Sequence, residues 1–116
     1  MTSTERPSTD SGDADRSDAG DADFGLLSPQ WAATPGARAT SDSVILLAML
    51  EVEVAFVRAY ETLGIAPAGT AERVRGVAAT VPFDVVAIAA RGRDGGNPVI
   101  PLVKDLRAAV AAVAPD

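Results

Sequence analysis

The sequence predicts an all-α fold, and three observations carry that prediction. Apolar residues recur at three- and four-residue spacing in several stretches, Ser, Thr, Asp and Asn stand where such stretches begin, and no alternating apolar and polar run is long enough to build a sheet.

Residues 1–23 hold seven acids (Glu5, Asp10, Asp13, Asp15, Asp18, Asp21, Asp23) against Arg6 and Arg16, a local net charge of −5. Apart from Met1 they contain no large apolar side chain, so burial cannot offset the entropy of ordering them, and a disordered acidic tail is expected. Residues 24–39 mix apolar side chains with Pro29, Pro35 and Gly36, which predicts an irregular segment with one helical turn. Ser41 and its neighbours offer N-caps for a long helix over 41–63, and Gly64 closes it as the residue beyond the last turn. The polar residues Glu51, Arg58, Glu61 and Thr62 of that helix fall near one stripe. Residues 44–50 are apolar all round, the pattern of a helix enclosed by neighbours on most sides.

Pro67 to Gly69 break the chain, and a short second helix runs over 70–80 with Glu72 in its first turn and Gly76 weakening it. After Phe83 and Asp84, the spacing of Val85, Val86, Ile88 and Ala89 gives a third helix ending near Arg91, with a strand as the alternative for the β-branched pair. RGRDGG (91–96) reads as a glycine-rich turn. Asn97 then caps a last helix with Pro98 at its first position and Leu102, Val103, Leu106, Val110 and Val113 on its apolar face. Pro101 lacks the N–H for the first intrahelical bond, which predicts an irregular start.

At 116 residues the chain holds one domain. Alanine fills 23 positions while Leu, Ile, Val and Phe together fill 28, so the core should be thin for this length and in need of a partner. There is no histidine and no cysteine, which removes Cys/His metal cages, histidine-based nucleophile systems and disulfides. A net charge of −6 argues against a nucleic-acid partner. The start lacks the pattern of a signal or transit peptide, and Glu51, Glu53 and Arg58 follow the longest apolar run too closely for a membrane span, so a cytoplasmic protein with no membrane partner is expected.

Two segments are more specific. LAMLEVEVAFVRAYETLGIAP (47–67), followed by FDVVAIAARGRDGGNPVIPLVKDL (83–106), resembles the N-terminal region of the fumarase/aspartase superfamily, most of all its 3-carboxy-cis,cis-muconate cycloisomerase branch and next its adenylosuccinate lyase branch. The likeness covers about residues 24–116 and rests chiefly on Leu50-Glu51-Val52-Glu53, Gly64-Ile65-Ala66-Pro67 and GNPVIPLVK (96–104), in that order. It implies an all-helical homotetramer with active sites built from three chains. It also implies chemistry without metal or cofactor, adding or eliminating across a C–C bond beside a carboxylate of a small polycarboxylate substrate. Lactonisation of a carboxymuconate in aromatic-acid breakdown is the expected reaction.

In the family a His-containing stretch around Gly-Ala-Thr-Ser-Gln-Asp lies just past this region, and the serine general base lies in a later Gly-Ser-Ser-x-Met-Pro-x-Lys-x-Asn loop. Neither motif is among these 116 residues. The expectation is therefore a helical lyase domain over 24–116, truncated before the central bundle, with no catalytic residue of its own and no turnover alone.

Two residues are candidates for substrate binding by this resemblance. Asn97 aligns with a substrate-facing histidine of adenylosuccinate lyases; it can hydrogen-bond a carboxylate but cannot shuttle a proton, and a helix cap is its simpler role. Lys104, two helical turns on, offers a point charge to a polycarboxylate, against the simpler role of a solvated lysine. Ser41 and Asp42 resemble the family's Ser/Thr-Asp pair before the first long helix, which capping alone explains. Arg91, Arg93, Gly95 and Gly96 suggest an anion site, but their spacing is not that of a nucleotide phosphate loop. The alternative from another class is a non-catalytic helical interaction module pairing through the surface of 44–56.

Overall fold

The computed structural model describes residues 26–113, and the tail expected over 1–23 lies outside them. The chain divides into two compact units, the first ending at Ala37 and the second starting at Arg38.

In the first unit the backbone turns on Ser28, whose carbonyl accepts from Trp31 N at 2.9 Å and Ala32 N at 3.1 Å. Thr34 then caps the single helical turn expected here, α1 (Pro35–Ala39), by accepting from Ala37 N at 3.1 Å. A Cβ on Gly36 would lie 2.9 Å from the Trp31 ring, so the glycine makes room for the indole.

The second unit is a group of four helices: α2 (Asp42–Thr62), α3 (Thr70–Thr80), α4 (Val85–Gly95) and α5 (Val99–Val113). No strand is present among the described residues, so the all-α prediction holds and the strand alternative at Val85 and Val86 does not. Asp84 decides the latter locally: its carboxylate accepts from Ala87 N at 2.9 Å and starts a helix. Ser41 caps α2 through Val44 N at 3.4 Å. Gly64, at φ +70, ends α2 in the left-handed conformation that favours glycine. Gly64 N donates to Glu61 O at 3.0 Å and Ile65 N to Tyr60 O at 2.8 Å, the paired bonds of a Schellman ending.

The four helices meet around Leu50 and Val54 of α2, Val74 and Val77 of α3, Ile88 of α4 and Leu102 and Leu106 of α5. The i, i+3 and i, i+4 spacings on α2, α3 and α5 put each set on one helix face. No aromatic side chain is among these buried residues, in keeping with the thin core expected from an alanine-rich chain. Outside this core α2 departs from expectation: Val44, Ile45 and Leu47 are 42%, 43% and 56% exposed, so 44–50 is not enclosed on most sides. A helix apolar all round reads as enclosed, but three neighbouring helices cover only one of its faces.

α3 begins on Gly69, which has no side chain to cap it, and the missing acceptor comes from a distance. Glu61 Oε1, near the end of α2, accepts from Ala71 N at 2.7 Å and so places a carboxylate at the positive end of α3. Glu61→Ala is expected to cost about 1 kcal/mol, the usual value of a lost N-cap. A urea titration followed by circular dichroism checks this, and Glu61→Gln, which keeps an acceptor oxygen, should recover most of the loss.

Candidate functional site

The candidate residues sit at the joint between α4 and α5 and along the outer side of α5. The sequence predicts a glycine-rich turn over 91–96, and here the structure corrects it: α4 continues as helix through Gly95 and only Gly96, at φ +67, leaves it. Gly92 is buried in that extension. A Cβ there would fall 3.1 Å from Pro98 Cα and 3.3 Å from Pro98 N, so the absence of a side chain lets the joint close against the helix. Asn97 N donates back to Gly92 O at 3.1 Å.

Asn97 Oδ1 accepts from Val99 N at 2.9 Å, which is the capping role the sequence offers for it. Its carbonyl accepts from Ile100 N at 3.4 Å, because Pro101 has no N–H with which to reach it, and Leu102 N bonds to Pro98 O at 3.2 Å instead. The start of α5 is irregular in the way Pro101 predicts. With Oδ1 committed to the cap, the exposed Nδ2 amide of Asn97 is the group that can donate to a ligand.

Arg91 does not serve an open anion site. It clamps Asp105 with two hydrogen bonds, Nη1 to Oδ1 at 2.9 Å and Nη2 to Oδ2 at 2.5 Å, joining α4 to α5. The hydrogen-bonded guanidinium holds the Asp105 carboxyl below its usual range, and the carboxylate in turn raises Arg91. A depressed carboxylate gives stability that is present above its unfolded range and is lost as the pH falls through the lowered value. The contribution is small, since the two side chains are 43% and 35% exposed and screened by solvent.

Lys104 is exposed and lines a shallow groove of about 540 Å³ with Val99, Ile100, Val103 and Arg107. Asn97 is not among the residues of that groove, so the structure does not join the two candidates in one cavity. It adds Arg107, one turn beyond Lys104, as a second cation on the groove. The i, i+3 spacing of the two cations was the available sign of this in the sequence. Ser41 acts as the cap of α2, in line with its simpler role. Among the described residues no group of three or more acids is placed to hold a metal ion, and no helix is long and apolar enough to cross a membrane.

Short amphipathic helices packed with one long helix, the exposed amide of Asn97 at a proline-bounded joint, and Lys104 and Arg107 further along α5 make up the domain. No family model matches the chain. Among curated proteins it is 45% identical over 93 residues to the nitrosuccinate lyase of Streptomyces davaonensis, a match covering 80% of this chain and 20% of that protein. It is 35% identical over 86 residues to the 3-carboxy-cis,cis-muconate cycloisomerase of Bradyrhizobium diazoefficiens, covering 74% of this chain and 19% of that protein. The chain belongs to the fumarase/aspartase superfamily, whose N-terminal region it matches. It spans about a fifth of the length of these two relatives.

Proposed function

We propose that these residues form the N-terminal helical domain of a superfamily lyase that makes or breaks a bond beside a carboxylate of a small polycarboxylate. The observation that carries this is the 45% identity to a nitrosuccinate lyase, which favours elimination from a nitrosuccinate-like substrate over cycloisomerisation of a carboxymuconate, the chemistry of the 35% relative. Both named substrates bear at least two carboxylates, which suits the exposed cations Lys104 and Arg107 and the amide of Asn97. The domain brings positioning and charge. It contains no histidine and no cysteine, and the base that abstracts the proton comes from residues outside this stretch. In a homotetrameric lyase that base is supplied by the remainder of the assembly.

A chimera tests this reading: residues 24–116 replace the matching fifth of the nitrosuccinate lyase, and in parallel that of the cycloisomerase. The expected result is elimination by the first chimera and none by the 116-residue chain alone. A first chimera that is correctly assembled but inactive overturns the preference for nitrosuccinate. Turnover by the chain alone overturns the assignment of the base. In an active chimera, Lys104→Ala should raise KM more than it lowers kcat. Asn97→Asp, which keeps the cap acceptor but removes the amide donor and adds negative charge, should also raise KM.

A further inference from the structure

The groove between α2 and α3 takes no part in the proposed lyase site, and it has the form of an apolar slot with one cationic end. Its space is about 440 Å³, within the range of small-ligand sites. Leu50 and Val54, both buried, lie at its base, and the small side chains of Ala55, Ala78 and Ala79 leave room between the helices. Glu61 Oε1 holds Ala71 N at 2.7 Å, so α3 starts beside the last turn of α2 and runs back along it. Arg58 stands three residues before Glu61 and Arg75 four residues after Ala71, which brings the two guanidiniums to the same end of the groove, while Leu47 and Ala79 line the other. From Arg58 to Leu47 is about 16 Å along the helix axis.

The charges on the groove are what select its occupant. Arg58 makes no ion pair among the described residues. Arg75 has one such contact, from Nη1 to Glu72 Oε2 at 3.3 Å, with a side chain that is 74% exposed, so its other N–H groups can donate elsewhere. Two guanidiniums from separate helices at one end of an apolar slot suit a carboxylate at one end of an apolar chain. Glu51 stands on the α2 rim two helical turns from Arg58, about 10.5 Å along the axis. It would repel a second carboxylate at the far end of an eight-carbon chain, so the groove selects against the polycarboxylates proposed for the lyase site.

We propose that this groove binds the anion of a medium-chain saturated monocarboxylic acid, its carboxylate between Arg58 and Arg75 and its chain along Leu50 and Val54 toward Leu47. The residues are separate from Asn97, Lys104 and Arg107, and the test measures binding and not turnover, so the two readings fail independently. Octanoate is titrated into the 116-residue chain at concentrations up to about 5 mM, followed by the backbone amide resonances in NMR. The expected result is saturable shifts centred on Ala55, Arg58, Ala78 and Ala79. Hexanoate should bind on the order of tenfold more weakly, for two methylenes fewer. Octan-1-ol and octanedioate should each bind at least about tenfold more weakly than octanoate, for want of the charge and for the surplus one. Arg58→Gln with Arg75→Gln should remove the preference for octanoate over octanol, and Glu51→Gln should bring octanedioate toward octanoate. Ala55→Leu, at an exposed position, fills the slot and should abolish binding. Circular dichroism verifies that each variant keeps its helix content. Absence of shifts overturns the proposal, as do shifts spread over the other apolar faces, octanol binding as tightly as octanoate, or a double arginine variant that binds octanoate unchanged.

Discussion

Leu102→Ala is expected to bring the unit from Arg38 onward to the edge of unfolding. Leu102 is fully buried, at 0% exposure, and it stands where α5 meets the other helices. Removing a buried leucine side chain costs about 2 to 5 kcal/mol, from lost transfer energy and from the cavity left behind. Small domains have a total stability of about 5 to 15 kcal/mol, and this one draws on a core of few side chains, without a buried aromatic to absorb the loss. The expected readout is a large fall in the urea midpoint. Leu63→Ala, at a position 70% exposed, should scarcely move it. Similar shifts for the two variants would show that Leu102 is not the centre of the packing.

Gly92→Val should be the second most damaging change, for a different reason. The added side chain would meet the backbone of Pro98, at 3.1 and 3.3 Å from its Cα and N, and a backbone cannot turn aside as a flexible side chain does. Overpacking of this kind costs about 1 to 3 kcal/mol and displaces the joint that carries Asn97. Gly76→Ala is the contrasting case. Gly76 lies within α3 with nothing within 4 Å of its would-be Cβ, so alanine there should stabilise by about 0.5 to 1 kcal/mol. Thermal melts of the two variants should therefore move in opposite directions, and a shift in the same direction would contradict the packing described at Gly92.

Much of the fold was legible because its signals are local. Ser41 and Asn97 each cap the helix that follows within three residues, and Gly64 adopts the one conformation that ends α2 there. What escaped the sequence depends on distant partners. The segment 91–96 carries three glycines and reads as a turn, yet the helix persists through it because Ile88 is buried, Arg91 grips Asp105 fourteen residues away, and Gly92 is needed against Pro98. The cap of α3 by Glu61 spans ten residues and has no sequence signature. At the candidate site the same division holds. The capping role of Asn97 and the exposure of Lys104 were both readable, whereas the loss of Arg91 to an ion pair appears only in three dimensions.

The two prolines around the start of α5 have a bearing on recognition. Pro98 and Pro101 fix two backbone torsions within four residues, Gly92 leaves the preceding helix no slack, and the Asn97 carboxamide is tethered at Oδ1. In the proposed role its Nδ2 donor is thus already aimed before an anion arrives. A ligand held there as proposed would forfeit little affinity to freezing a floppy arm, since the elbow is a rigid bracket and not a lid that must fold over its guest.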